Sequence, residues 1–227
     1  MGRFIEINDL QIEVIRNKRQ RTLRLRIDPK TGQPQISIPW LCPTFMAKSF
    51  VQKHLIWIKK NMEQTPQKQT FVPQMKITLL GKPVTLIHNP DLKRATHIDG
   101  DTLVVGGESS FFHRRVKDFI KKELKNYITD KAHTFATQQN KKIKSVTVRD
   151  TFSRWGSCSS TGGLSFSWRL ALAPAFVLDY VIAHEVAHLV HMDHSVFFWQ
   201  TVKQMYPESA RAKRWLKENG KFLHAFQ

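Results

Sequence analysis

The feature that most constrains this chain is the motif His184-Glu185-Val186-Ala187-His188, which lies in an apolar stretch with helical spacing. Two histidines four residues apart lie on one face of a helix, with Cβ atoms about 5 to 6 Å apart, so both imidazoles can reach one ion. Zinc accepts imidazole nitrogens at about 2.0 to 2.1 Å. A glutamate directly after the first histidine can accept a proton from water on the metal without being a ligand. The motif therefore predicts a helix that carries two zinc ligands, His184 and His188, and a general base, Glu185.

The residues before the motif predict that this helix is buried. Apolar residues recur at helical spacing from Val177 to Ala183, and Pro174 stands near the expected start of the helix, where its missing N–H costs least. Two imidazoles and a carboxylate are costly to bury without a partner, and a metal ion satisfies all three. Ordinary core histidines are the competing interpretation.

A catalytic zinc site needs a third protein ligand, and both His194 and Glu208 follow the motif at suitable distances. On an unbroken helix His194 would lie about 15 Å along the axis from His184, so it can coordinate only if the helix ends near Val190. Ser195 can cap a new helix directly after such a turn. Glu208 would instead complete a site of two histidines and one glutamate. Spacing alone leaves both candidates open.

The segments around the motif resemble the YgjP-like metallopeptidase family, which is grouped with the WLM and SprT-like zinc peptidases. The runs that carry the resemblance are Arg154–Ser160, Gly163–Leu170, Ala173-Pro174, Asp179–Val181, His184-Glu185, His194-Ser195 and Phe198-Trp199. The resemblance is specific over about residues 140 to 220 and looser before them. It implies a zinc metallopeptidase with the ligands His184, His188 and His194 and the general base Glu185. Glu208 would then at most orient a ligand histidine.

Hydrophobic periodicity predicts an α+β fold with a strand-rich N-terminal region at residues 1–108. The resemblance implies that residues 109–227 form a minimal zincin-like metallopeptidase domain, with the motif helix beside a small sheet. No internal repeat stands out. The predicted strands are 12–15, 22–27, 35–39, 75–80, 83–88, 102–106, 143–149 and 164–172, with the second and third forming a hairpin. The predicted helices, besides the motif helix, are 44–62, 110–140, 195–206 and 208–219.

The resemblance also implies how a substrate would bind. In proteins of this type the strand before the zinc helix borders the cleft, so an extended peptide is expected to pair with residues 164–172 through backbone hydrogen bonds. Such binding predicts loose specificity for extended or unfolded polypeptide. Arg154 and Tyr206 are candidates to stabilise the oxyanion, and each has a structural role as its alternative.

Charge gives a second functional signal. The chain has 36 Lys and Arg against 18 Asp and Glu, a net charge of +18, which predicts a polyanionic partner, with DNA or RNA the first candidate. Basic residues are densest from Arg16 to Arg26, where strand alternation places Arg24 and Arg26 on one outer face. No nucleic-acid-binding motif accompanies the charge, so a generic basic surface stays open. The alternative function is a nucleic-acid-binding protein whose zinc site is structural or catalytically silent.

The remaining features predict a cytoplasmic protein. Cys42 and Cys158 are far apart and lack CxxC spacing, so neither a disulfide framework nor a zinc knuckle is expected, and Cys158 is interpreted as a packing residue. The N-terminus has no apolar signal region, and the most apolar window, residues 170–192, contains charged residues and three histidines. No membrane span is predicted.

Overall fold

The computed structural model describes residues 3–28, 31–63, 66–93 and 95–226. Its contacts divide the chain into two units, Met1–Gln67 and Lys68–Gln227. The sequence predicts a boundary at 108/109 instead. The division falls earlier because the strands before residue 108 pack with the C-terminal helices: Leu103 and Val105 share one buried core with Val116 and Ile120.

The first unit is a four-stranded sheet with two helices. Its sheet has the order β1-β2-β4-β3, in which β2 and β4 are parallel and the outer pairs are antiparallel. The predicted hairpin is the pair β3 and β4, whereas β1 was not predicted. The predicted helix 44–62 is two helices, because the chain breaks at His54. The elements are β1 (Arg3–Ile7), β2 (Leu10–Asn17), β3 (Arg24–Ile27), β4 (Pro34–Pro39), α1 (Thr44–Lys53) and α2 (Leu55–Glu63).

The second unit begins with a sheet of the same topology. Its order is β5-β6-β8-β7, again with a parallel central pair between two antiparallel pairs. In both sheets the first hairpin turns through two residues with positive φ, Asn8-Asp9 and Leu80-Gly81. The strands are β5 (Lys76–Leu79), β6 (Lys82–Asn89), β7 (Thr96–Asp99) and β8 (Thr102–Gly106).

A long helix and a third sheet follow. Helix α3 (Phe112–Gln138) buries a residue every fourth position, which gives it one apolar stripe. The three-stranded sheet has the order β10-β11-β9, with β9 (Ser145–Arg149), β10 (Gly156–Cys158) and β11 (Gly163–Ser167). The predicted strand 164–172 ends at Ser167, because Trp168–Leu172 form a 3₁₀ helix.

The last three helices are α4 (Ala175–Ala187), α5 (Val196–Met205) and α6 (Ser209–Leu223). Helix α4 is the centre of the second unit, since its residues are buried almost all round. The fold is a mixture of α and β elements, as predicted. Within the described part of the chain, no helix combines the length and apolarity needed to cross a membrane.

Candidate metal centre

Helix α4 carries the first half of the motif. Pro174 stands directly before its first residue, and nine of its side chains are buried, including Glu185. The helix ends at Ala187, and His188 is its C-terminal cap. His184 and His188 are neighbours on one face, with ring centroids 5.1 Å apart. Local helix geometry alone brings these two rings together.

The third histidine, His194, lies close to the first two because the chain turns sharply after α4. The N–H groups of Val190 and His191 both donate to the carbonyl of Ala187, which closes the turn without a glycine or proline. Ser195 then begins α5, and its hydroxyl accepts a hydrogen bond from the Phe198 N–H at 3.4 Å. His194, which precedes this cap, comes back over the motif, and its Nε2 lies 3.3 Å from the His184 Nε2.

The three imidazoles have the spacing of a metal site. One ring nitrogen from each of His184, His188 and His194 lies within 4.8 Å of the other two. Two nitrogens bound to a tetrahedral zinc at about 2.0 to 2.1 Å would be about 3.3 to 3.4 Å apart, and the two Nε2 atoms are at 3.3 Å. A set of imidazoles suits zinc as well as copper, iron or nickel. The residues therefore fit a transition-metal ion.

The hydrogen bonds of His184 and His188 leave a ring nitrogen of each residue available to bind a metal ion. The His188 Nδ1 lies 3.0 Å from the carbonyl oxygen of His191, so this nitrogen carries the proton and Nε2 keeps its lone pair. The His184 Nδ1 is buried without a hydrogen-bond partner among the described residues. Burial lowers the pKa of His184 to about 3, with a further contribution from His188 and His194. Burial also lowers the pKa of His188. These rings are neutral at pH 7, which is the form that binds metal.

Aromatic side chains of α5 enclose the cluster. Phe198 is fully buried and its ring lies 4.5 to 4.9 Å from the three imidazoles. Trp199 lies 5.6 Å from His184, and the Lys213 ammonium of α6 sits 3.2 Å from the centre of the Trp199 ring. This apolar wall excludes water from one side of the imidazoles.

Glu185 lies against the backbone of β10. Its side chain is 5% exposed, and a Cβ added to Gly156 would fall 2.5 Å from its Oε1. Only glycine at position 156 leaves room for this carboxyl group. Burial raises the pKa of Glu185 to about 7, against the opposing effect of the nearby Arg154 guanidinium.

A cavity of about 230 Å³ opens beside Glu185. Its lining includes Trp155, Tyr180 and Leu216, to which the sequence analysis assigned no role. Tyr180 was detectable, since it stands four residues before His184 on the same helix face. Trp155 lies within the Arg154–Ser160 run. No sequence signal marks Leu216, because only the fold brings α6 to this wall.

The strand that borders the cavity is β10. The prediction that a peptide pairs with residues 164–172 is wrong, because β11 lies between β10 and β9 and both its edges are occupied. The outer edge of β10 is the edge that faces away from β11, and Glu185 lies against the face of the strand at Gly156. Ser167 N–H donates to Trp155 O, and Ser159 N–H donates to Gly163 O. Since such pairs alternate along an antiparallel ladder, the backbone groups of Gly156 and Cys158 face outward.

The other candidates lie apart from the histidines or take different roles. Glu208 is exposed, precedes α6 and pairs with Arg211 at 3.3 Å. The pKa of Tyr206 is raised by burial and by the charges of Asp179 and Glu208, which places its hydroxyl near those groups. Of the two oxyanion candidates, Arg154 is the one near Glu185. Burial raises the pKa of the Cys158 thiol to about 11, so it stays protonated and unreactive.

A family model described as YgjP-like, metallopeptidase domain, matches residues 21–219. Among solved structures, the chain is similar to the crystal structure of the metallopeptidase zymogen of Pyrococcus abyssi abylysin, with 20% sequence identity and a TM-score of 0.36. That similarity covers 40% of this chain and 93% of the other. No curated protein matches the chain.

Proposed function

The chain belongs to the YgjP-like metallopeptidase family, and from this premise we propose that it is a zinc-dependent peptidase in which His184, His188 and His194 hold the metal and Glu185 is the general base. The observation that supports this assignment best is the 3.3 Å separation of the His184 and His194 Nε2 atoms, with the His188 ring against both. It equals the separation expected for two ligands of one tetrahedral zinc.

A zinc ion bound there would lower the pKa of water to about 7 and polarise a peptide carbonyl. Glu185 supplies the proton transfer. Its carboxyl group is held between α4 and Gly156, so it has a fixed position rather than a mobile one. Burial raises the pKa of this carboxyl group, which makes it a better acceptor for a proton from water and lets it give that proton to the departing amine.

We propose that the substrate is polypeptide in an extended conformation. The support is the outer edge of β10, where the backbone groups of Gly156 and Cys158 face away from β11. A peptide strand added at this edge would bind through main-chain hydrogen bonds, beside Gly156, which lines the same cavity as Glu185. Such contacts do not depend on side chains, which favours unfolded proteins as substrates.

The metal assignment is tested by elemental analysis after dialysis against a weak chelator. Wild-type protein is expected to retain about one zinc per chain, and His194→Ala is expected to lose it. Glu208→Ala is the matched control, because Glu208 has the position of a rival ligand in sequence but is exposed beside Arg211. Loss of zinc from Glu208→Ala with retention by His194→Ala would contradict the assignment.

The catalytic assignment is tested with Glu185→Gln. This substitution keeps the size of the side chain and removes its ability to accept a proton. We expect the variant to bind zinc as the wild type does and to lose at least about a hundredfold in the rate of cleavage of an unfolded protein. If Glu185→Gln cleaves the unfolded protein at the wild-type rate, Glu185 is not the general base.

A second function, binding of single-stranded nucleic acid, is favoured by a feature of the first unit. Trp40 is 53% exposed and the Lys18 ammonium lies 5.5 Å from the centre of its ring. Arg16 donates to the carbonyl of Trp40 and fixes this segment beside the end of β2, where the basic run from Arg16 to Arg26 begins. Exposed aromatic rings interleaved with cations are the components of surfaces on which bases stack. This function is compatible with peptidase activity, because the three histidines belong to the second unit.

A further inference from the structure

A second cavity, of about 270 Å³, adjoins the histidine cluster at His188. We call it the lysine cavity. Its polar lining comes from Lys141 and Lys142, from the hydroxyl residues Ser159, Ser160 and Thr161, and from His188. None of the described residues that line it is acidic.

The lysine cavity is built by hydrogen bonds that fix both of its walls. The Lys141 N–H donates to the carbonyl of Ala136, which ties the lysine segment to the end of α3. The Lys144 N–H donates to Gly162 O, and this joins the same segment to the loop after β10. The Ser159 hydroxyl accepts from the Gly163 N–H and closes that loop. The two lysines are therefore held beside the metal site by backbone contacts.

The two cavities beside the histidines differ in charge. The cavity at Glu185 is lined by aromatic and aliphatic side chains together with that carboxyl group. The lysine cavity is lined by two lysines and by no acidic residue among those described. Asp193, an acidic residue whose charge acts on His188, does not line it, and its Oδ1 accepts a hydrogen bond from the Ser195 N–H. The lysine cavity thus favours an anionic group, and the other cavity favours an apolar one.

Strand β10 connects the two cavities. It runs from Gly156, at the cavity beside Glu185, to Cys158, after which the chain enters the loop of the lysine cavity. Antiparallel pairing is the slightly more stable arrangement for an added strand. A peptide that pairs in this way runs from the lysine cavity towards Glu185, so its residues before the cleaved bond meet the lysines.

We propose that the lysine cavity is a substrate subsite that selects an acidic side chain on the N-terminal side of the cleaved bond, through Lys141 and Lys142. This inference rests on the proposed peptidase function, and it names the substrate class of the same site. The anionic group is a glutamate or aspartate side chain of the peptide.

The experiment measures kcat/KM for internally quenched peptides that differ at one position before the cleaved bond, with glutamate, glutamine or lysine there. Wild-type protein is expected to cleave the glutamate peptide about tenfold faster than the lysine peptide, since each partly exposed ion pair contributes up to about 1 kcal/mol. The double variant Lys141→Glu/Lys142→Glu is expected to invert the preference. Lys141→Gln/Lys142→Gln is expected to abolish it.

Lys144→Glu is the matched control, because Lys144 is exposed in the same segment but does not line the cavity. It should keep the wild-type preference. Equal cleavage of the three peptides by the wild type, or a preference that survives both double variants, would overturn the proposed subsite. Zinc content and circular dichroism check that each variant is folded.

Failure of the peptidase proposal can be distinguished from failure of the subsite proposal. If the wild type with bound zinc cleaves neither these peptides nor an unfolded protein, the peptidase proposal fails. The subsite is then decided by binding, with fluorescence anisotropy of labelled peptides on Glu185→Gln protein. Tighter binding of the glutamate peptide, lost in the glutamine double variant, supports the subsite, and equal binding of the glutamate and lysine peptides overturns it.

Discussion

At the residue scale, Gly156 determines where the proposed general base can lie. A Cβ at this position would fall 2.5 Å from Oε1 and 2.6 Å from Cγ of Glu185, so Gly156→Ala must displace the carboxyl group or the strand. A displacement of about 1 Å in a catalytic group costs on the order of a hundredfold in rate. We therefore expect Gly156→Ala to lower kcat about a hundredfold while zinc stays bound.

Ser157→Ala is the control for Gly156→Ala, because adjacent strand residues point to opposite sides of the sheet. It should retain most of the activity. Steady-state kinetics with a quenched peptide, together with zinc analysis of both variants, makes the comparison. Full activity in Gly156→Ala would show that Glu185 adapts to the added methyl group.

The residue scale also shows which parts of the site the sequence could predict. The pairing of His184 with His188 is local helix geometry, so their spacing was enough to predict it. The place of His194 depends on a turn that contains no glycine or proline, and the sequence therefore left Glu208 as a rival. Trp155 and Leu216 reach the cavity from separate elements, which spacing along one helix cannot reveal.

At the element scale, the start of α5 sets the position of His194. The Ser195 hydroxyl accepts the Phe198 N–H, and loss of such a cap costs about 1 kcal/mol. Because His194 directly precedes the cap, a frayed helix start must also loosen this imidazole. We expect Ser195→Ala to weaken zinc binding about fivefold, as measured by competition with a chromogenic chelator. Ser195→Asp should restore the affinity for zinc, since aspartate caps helices equally well. If Ser195→Ala binds zinc as tightly as the wild type does, the cap does not determine the position of His194.

Elements with a strong repeating pattern were predicted well, and short ones were not. The predicted helix 110–140 is α3, because its buried residues recur every fourth position over 27 residues. Strand β10 has only three residues, too few to show alternation, yet it forms an edge of the sheet and packs against Glu185. Trp168–Leu172 were predicted as part of the strand 164–172, but they form a buried 3₁₀ helix in the core.

An ion pair joins the residue that follows β9 to that 3₁₀ helix, and its arginine also contacts the last described residues. The Arg169 guanidinium is fully buried, contacts Asp150 at 2.5 Å and donates to Phe226 O at 2.8 Å. Burial acts to raise the pKa of Asp150, but hydrogen bonds from Arg169 and Lys117 outweigh it and hold this pKa at about 2. Asp150→Asn leaves Arg169 unpaired and should cost on the order of 2 kcal/mol in unfolding free energy, since Asp150 itself is partly exposed.

The same pair predicts a pH dependence of stability. The pKa of Asp150 is lower in the folded state than its unfolded value of about 3.9. Its contribution is therefore complete above about pH 4 and is lost as the pH falls towards 2. Urea unfolding of metal-free protein should show a wild-type advantage over Asp150→Asn at pH 6 that shrinks near pH 2. Asp118→Asn, at an exposed position of α3, controls for the loss of one negative charge, and a constant advantage across this range would contradict the assignment.

At the scale of the whole molecule, the chain contains one sheet topology twice. Strands β1 to β4 and β5 to β8 have the same order and the same directions, and each sheet opens with a hairpin that turns through positive φ. The sequence showed no repeat, because a topology is preserved by hydrophobic alternation and turn conformation rather than by residue identity. Asn8-Asp9 and Leu80-Gly81 make equivalent turns with no residue in common. Among the described residues, the second copy shares a buried core with the metal-site helix, and the buried residues of the first copy form a separate cluster.

This division of the molecule predicts that nucleic-acid binding and peptide cleavage separate by mutation. Trp40 and Lys18 belong to the first unit, whereas the three histidines belong to the second. Trp40→Ala is expected to weaken binding of a fluorescent single-stranded oligonucleotide about tenfold, because one stacked base contributes about 1 to 3 kcal/mol. Lys18→Ala should reduce the slope of log K against log salt by about one. Both variants should cleave an unlabelled peptide at the wild-type rate, and Val72→Ala, an exposed apolar position in the second unit, should change neither property. If wild-type protein does not bind the oligonucleotide at low salt, its net charge of +18 reflects a solvated surface, and the peptidase proposal stands without a nucleic-acid partner.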